Sequence, residues 1–105
     1  MELENLSVLE QAALLSGASE WDSRGYEKAG IPSFVLSDGP HGVRRQLGSG
    51  DHLGIGESKA ATCFPTASAL ANSWDPALAE EMGKALGGEA RRLDVNVLLG
   101  PGLNI

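Results

Sequence analysis

Two short, largely apolar runs constrain this chain more than any other feature, because neither can be covered by its sequence neighbours alone. They occupy residues 31–36 and 95–99. The first shows no alternation of polar with apolar positions, which is the pattern of a strand buried on both faces of a parallel sheet, and the second reads as another strand. They stop abruptly at Ser37-Asp38-Gly39-Pro40 and at Gly100-Pro101-Gly102, both of them turn chemistry. A helix is expected between them, starting at Asp75-Pro76 with Asp as its cap and Pro at its first position. Leu78, Met82, Ala85, Leu86 and Leu93 form its apolar stripe, and Glu80 and Lys84 an i,i+4 pair on the wet face. Arg91 and Arg92 stand near its C-terminal end, where the helix dipole favours cations. Glu89 returns to the apolar stripe, and the sequence names no partner for it.

Strand, loop, helix, strand is a βαβ order and predicts an α/β fold with parallel strands. Two such strands need neighbours that 105 residues do not supply. A complete (β/α)8 barrel takes roughly 200–250 residues. The chain stops at Asn104-Ile105, a few residues after a strand, where a fold would be interrupted. The expectation is therefore one portion of a larger α/β domain.

Elsewhere the signals are local. Ser7 and Glu10 match a capping box opening a short helix, with Leu9, Ala12, Ala13 and Leu15 as its apolar contacts. Gly17 is placed to end that helix in a left-handed conformation. Residues 18–30 read as loop with one helical turn at 26–29. Residues 41–62 are polar and glycine-rich, a length of loop that is uncommon unless functional. Residues 65–74 fit a strand or a helical turn equally well.

Composition excludes several partners. Eight Lys+Arg against 14 Asp+Glu give a formal charge of −6, which disfavours nucleic acid and an anionic membrane surface. No apolar run reaches the ~18 residues of a spanning helix, and the first residues do not form a secretory leader. Cys63 is the single cysteine, so neither a disulfide framework nor a cysteine-based metal site is expected. A cytoplasmic setting, without cofactor or metal, is the expectation. Cys63 itself reads as a small buried hydrophobe beside Phe64, and Trp21 and Trp74 as packing residues. Asp51 and His52 lack a third ligand. Gly54-Ile55-Gly56 and Gly100-Pro101-Gly102 lack the context of a phosphate loop.

The chemistry-bearing stretch is Asp38-Gly39-Pro40-His41-Gly42-Val43-Arg44. Ligands of α/β folds collect at the carboxyl ends of strands, where Asp38 stands. As an anion it can accept hydrogen bonds from two neighbouring hydroxyls, and Arg44 can pair with it or donate to the same ligand. Spacing equally allows a turn-capping Asp38 with Arg44 as its surface ion pair. His41 reads as a loop residue rather than a proton-transfer group.

The run from Val35 to Arg44 resembles the signature near the N-terminus of the barrel domain in glycoside hydrolase family 3. Other segments agree in order: Glu10-Gln11-Ala12-Ala13-Leu14-Leu15-Ser16-Gly17, Ala61-Thr62-Cys63-Phe64-Pro65-Thr66-Ala67, Ser73-Trp74-Asp75-Pro76, and Leu98-Leu99-Gly100-Pro101-Gly102-Leu103-Asn104-Ile105. The likeness covers the chain from about Leu6 onward and is greatest to bacterial β-glucosidase-type members. It implies that residues 1–105 are the N-terminal part of a TIM-type (β/α)8 barrel, incomplete in this chain. It also implies a retaining, exo-acting glycosidase that removes terminal β-D-glucosyl residues from a β-glucoside or oligosaccharide. Related β-xylosidase and β-N-acetylglucosaminidase activities, or a non-catalytic sugar-binding module, are the alternatives. By the resemblance, Asp38 and Arg44 contact the terminal sugar in the −1 subsite. The nucleophilic Asp, the acid/base, and a further Arg and Lys-His pair would lie in the rest of the barrel and in a following domain. No carboxylate of this chain is thus expected to be catalytic.

Overall fold

The computed structural model describes residues 5–39, 41–48 and 56–102. They fall into two units, Met1–Leu36 and Ser37–Ile105.

In the first unit, helix α1 spans Val8–Leu14. Its capping box forms as the sequence predicts: Glu10 N–H donates to Ser7 Oγ at 3.3 Å, and Ser7 N–H to Glu10 Oε2 at 2.8 Å. The helix stops before Gly17, however. Leu15 is the C-cap, in a right-handed conformation, with its N–H on the Ala12 carbonyl and the following Ser16 N–H on the Ala13 carbonyl. Gly17 instead bridges Ser23 and turns the chain back. The expected helical turn is a 3-10 turn at Glu27–Ala29.

Tyr26, which precedes that turn, donates its hydroxyl to Glu10 Oε1, joining the turn to α1 across 16 residues. The Tyr26 and Ser7 hydrogen bonds favour the charged carboxylate and hold Glu10 down at about 2, and the same Glu10 bond raises Tyr26.

For most of its length the run at 31–36 is not the parallel-sheet strand the sequence predicts. It folds back antiparallel on residues 21–26. Ser23 N–H reaches the Phe34 carbonyl at 2.9 Å, Leu36 N–H the Trp21 carbonyl at 2.7 Å, and Tyr26 N–H the Ile31 carbonyl at 2.8 Å. Regular strand, β1, is confined to Leu36–Ser37. Pro32 has no N–H to give to a ladder, and Ser23 and Ser33 hydroxyls bond backbone groups in its place.

In the second unit, residues 45–47 pair antiparallel with 57–59, through Leu47 N–H to the Glu57 carbonyl and Lys59 N–H to the Arg45 carbonyl, both 2.9 Å. Part of the stretch expected to be loop is therefore a ladder. Helix α2 spans Ala67–Ala71 and settles the open reading of residues 65–74. Thr66 caps it by accepting from Ala69 N–H.

Helix α3 spans Pro76–Arg92, capped by Asp75, whose Oδ1 accepts from Ala77 and Leu78 N–H at 2.9 and 3.2 Å. Glu80 and Lys84 form the expected ion pair. β2 covers Val97–Leu98 alone, shorter than the 95–99 expected, and pairs with β1 in a two-stranded parallel sheet. Val95 is instead spent on closing α3, its N–H on the Ala90 carbonyl. Among the described residues the buried apolar side chains are Val43, Ala90 and Val95, all in this unit. Strands, helices and their order are those of the N-terminal part of a (β/α) barrel.

Candidate functional site

The site grows from the end of β1. Ser37 is 2% exposed, so its hydroxyl must find a partner inside, and it donates to the Arg44 carbonyl at 2.9 Å. Arg44 N–H returns to the Asp38 carbonyl at 2.8 Å, closing a loop over residues 38–44. Within it Arg44 Nη2 meets Asp38 Oδ1 at 3.1 Å. Both residues keep access to solvent, with side-chain exposures of 30% for Arg44 and 41% for Asp38. Among the described residues no donor occupies Asp38 Oδ2. The structure thus brings together the two residues singled out in the sequence. One carboxylate oxygen is steadied by Arg44, and the other accepts from no group among the described residues.

Two glycines make this closure possible. A Cβ on Gly39 would stand 1.7 Å from the Gly42 carbonyl oxygen, and one on Gly42 would stand 2.3 Å from the Thr62 carbonyl oxygen. Both distances are far inside van der Waals contact, so the loop can cross itself and meet residue 62 only with glycine at each position. Next to this contact, Phe64 N–H donates to the His41 carbonyl at 2.7 Å. His41 is exposed and enters the site through its backbone.

Behind the 62–64 segment stands Glu89 of α3. At 7% exposure it is the buried carboxylate among the described residues. It accepts from Thr62 N–H at 3.1 and 3.2 Å and from Thr62 Oγ1 at 3.0 Å. Arg92 approaches it at 3.9 Å but is largely exposed, so it screens rather than neutralises. The partner that the sequence did not name is therefore Thr62, within the same chain. Its only signal in the sequence was a carboxylate on an apolar stripe.

Other expectations are corrected. Cys63 is exposed, because the extended 62–64 segment turns Phe64 inward and its neighbour outward. Trp74 is 90% exposed rather than packed: it takes φ 53° in the tight turn between α2 and Asp75, which swings the ring out. Trp21 is half-buried. Asp51, His52, Gly54 and Ile55 lie outside the described residues. Among the described residues no three His, Cys, Asp or Glu side chains gather as a metal site. An apolar groove of about 460 Å³ lies along α2 and α3, lined by Phe64, Leu70, Leu78 and Met82. Glu81 is the charged residue of its lining.

Residues 4–105 match the glycosyl hydrolase family 3 N-terminal domain. The chain is 45% identical over 103 residues to thermostable beta-glucosidase B of Acetivibrio thermocellus, covering 98% of this chain and 14% of that protein. It is 42% identical over 104 residues to an exo-alpha-(1->6)-L-arabinopyranosidase of Bifidobacterium longum, with the same coverage. Among solved structures, beta-glucosidase from Kluyveromyces marxianus in complex with glucose superposes with a TM-score of 0.87 at 32% identity, over 98% of this chain and 12% of that one. The family 3 beta-glucosidase of Bifidobacterium adolescentis gives 0.78 at 39% identity, over 98% and 14%. The chain spans about one-seventh of the length of the curated relatives it matches. With its signature loop, its strand and helix order and its sequence all in agreement, this chain belongs to glycosyl hydrolase family 3.

Proposed function

We propose that the whole protein is a retaining, exo-acting glycosidase acting on terminal β-D-glucosyl residues, and that this chain supplies part of its glycone subsite through Asp38 and Arg44. The observation that carries the reading is the Asp38–Arg44 pair at the carboxyl end of β1, with Oδ2 of Asp38 bonded to no group among the described residues. Relatives and solved structures carrying the name beta-glucosidase support it.

The chemistry assigned to this chain is binding and orientation. Asp38 would accept hydrogen bonds from hydroxyls of the terminal sugar, and the Arg44 guanidinium keeps it aimed. Each such charge-assisted bond contributes about 1.5–3 kcal/mol when well formed. Held at hydroxyls remote from the scissile bond, that energy favours the distorted ring of the transition state. Retention requires two carboxylates about 5–5.5 Å apart at the anomeric centre, and we assign neither to this chain.

Asp38→Ala in the whole protein tests the reading. Losing two such bonds lowers kcat/KM on an aryl β-glucoside by about 100-fold or more, with an unchanged melting temperature. Full activity in that variant overturns it.

A second sugar deserves a place in the same assay, because a relative of nearly equal identity is an arabinopyranosidase. α-L-Arabinopyranosides and β-D-glucopyranosides share the equatorial anomeric oxygen and the C2 and C3 hydroxyls, and differ at C4, where the arabinoside hydroxyl is axial, and at C5, where it has no hydroxymethyl group. Assay of both aryl glycosides separates the readings by their kcat/KM ratio.

A further inference from the structure

We propose that Glu89 is a positioning residue for the Asp38–Arg44 loop, acting from α3 through the segment 62–64. The inference rests on the glycone-subsite reading for its effect on activity.

A carboxylate held at 7% exposure on an otherwise apolar helix stripe is costly unless its hydrogen bonds are made. Here one residue makes them. Thr62 presents its backbone N–H and its hydroxyl to the same carboxylate, at 3.0–3.2 Å. Two kinds of donor from a single residue pin both the position and the orientation of that peptide.

The consequences run forward along the chain. The Thr62 carbonyl lies where Gly42 alone allows the loop to approach, 2.3 Å from where a Cβ would be. Phe64 N–H holds the His41 carbonyl at 2.7 Å. Residues 41 and 42 are the middle of the loop whose ends are Asp38 and Arg44, tied by the 2.8 Å backbone bond. A shift of the 62–64 segment therefore moves the loop that carries both proposed sugar ligands. Ser37 grips the Arg44 carbonyl from β1 and gives the loop a second hold.

The test uses the whole protein, with Glu89→Gln, Asp38→Ala and the double variant. Glutamine keeps the shape of the side chain but loses the charge and one acceptor. Glu89→Gln lowers kcat/KM on an aryl β-glucoside about tenfold, the scale of a small misplacement of a binding group. In the Asp38→Ala background the same change lowers it less than about twofold, because the Asp38–Arg44 pair it positions is already broken. Additive losses in the double variant, or full kcat/KM in Glu89→Gln beside an impaired Asp38→Ala, overturn the proposal.

Hydrogen exchange gives a readout independent of activity. Amides in residues 41–44 and 62–64 exchange about tenfold faster in Glu89→Gln, while those of α1 keep their wild-type rates. Unchanged exchange at 41–44 overturns the proposal whatever the kinetics show. An Asp38→Ala protein with full activity instead overturns the subsite reading, and the exchange result then still decides whether Glu89 holds the loop. If Glu89→Gln does not fold, Thr62→Val, which removes the hydroxyl and keeps the N–H, is read by the same exchange, with a smaller expected acceleration at the same amides.

Discussion

The Glu89 carboxylate takes both the backbone N–H and the hydroxyl of Thr62, a residue 27 positions before it. No helical or strand period relates the two. Their bond ties the last turns of α3 to the segment that leads into α2 and, beyond it, to the loop at Asp38.

Replacing Glu89 by Ala leaves the Thr62 donors without their charged acceptor. The expected cost is about 2 kcal/mol, read as a lowered urea midpoint at unchanged slope. Thr62→Val removes one neutral donor and costs about 1 kcal/mol.

Gly42→Ala places a methyl group where the Thr62 carbonyl already stands. Overpacking against backbone costs about 1–3 kcal/mol. Because the strain falls on the proposed subsite, kcat/KM drops more than a stability loss of that size explains. Steady-state kinetics at a temperature where the variant is fully folded checks this.

Arg44→Lys keeps the charge and loses the planar fork that steadies Asp38. KM for an aryl β-glucoside rises by about fivefold or more if the pair acts as a unit. An unchanged KM assigns Arg44 a surface role.

Glu10 titrates at about 2, below its ordinary 4.5, held down first by the Tyr26 hydroxyl and then by Ser7. A lowered folded-state value means that the anion stabilises the folded form. That contribution is complete above about 4.5 and is lost as pH falls toward about 2. Carboxyl-detected NMR titration of the selectively labelled protein locates the midpoint. Tyr26→Phe moves it up toward 4.5, because the largest cause of the shift is removed.

Asp75→Ala removes the side-chain oxygen that bonds Ala77 and Leu78 N–H at the start of α3. Thermal denaturation shows a loss of about 1 kcal/mol, with Asp75→Ser recovering most of it.

Legibility in the sequence followed the range of the interactions. The Ser7–Glu10 capping box, the Asp75-Pro76 helix start, the Glu80–Lys84 pair and the turn at Asp38 are set within about four residues, so composition and spacing predict them. The candidate ligands Asp38 and Arg44 were legible for a related reason, since a charged residue at a strand's carboxyl end joined to a glycine-rich turn is a local pattern. The antiparallel return of residues 31–36 was not legible. An apolar run looks the same whether its backbone partner is another buried strand or a loop such as 21–26, and the serine hydroxyls that select the second are unremarkable in sequence.

By itself, then, the sequence determined the α/β order, the caps at Ser7 and Asp75, the family signature and the Asp38–Arg44 pair as a candidate site. Tertiary structure alone decided what holds them. It paired Glu89 with Thr62, seated the Gly42 backbone against residue 62, and turned Cys63 and Trp74 outward. These outcomes depend on which distant backbone groups a fold brings within 3 Å or so. Burial of a charge is tolerated only where such groups arrive, and no local pattern announces their arrival.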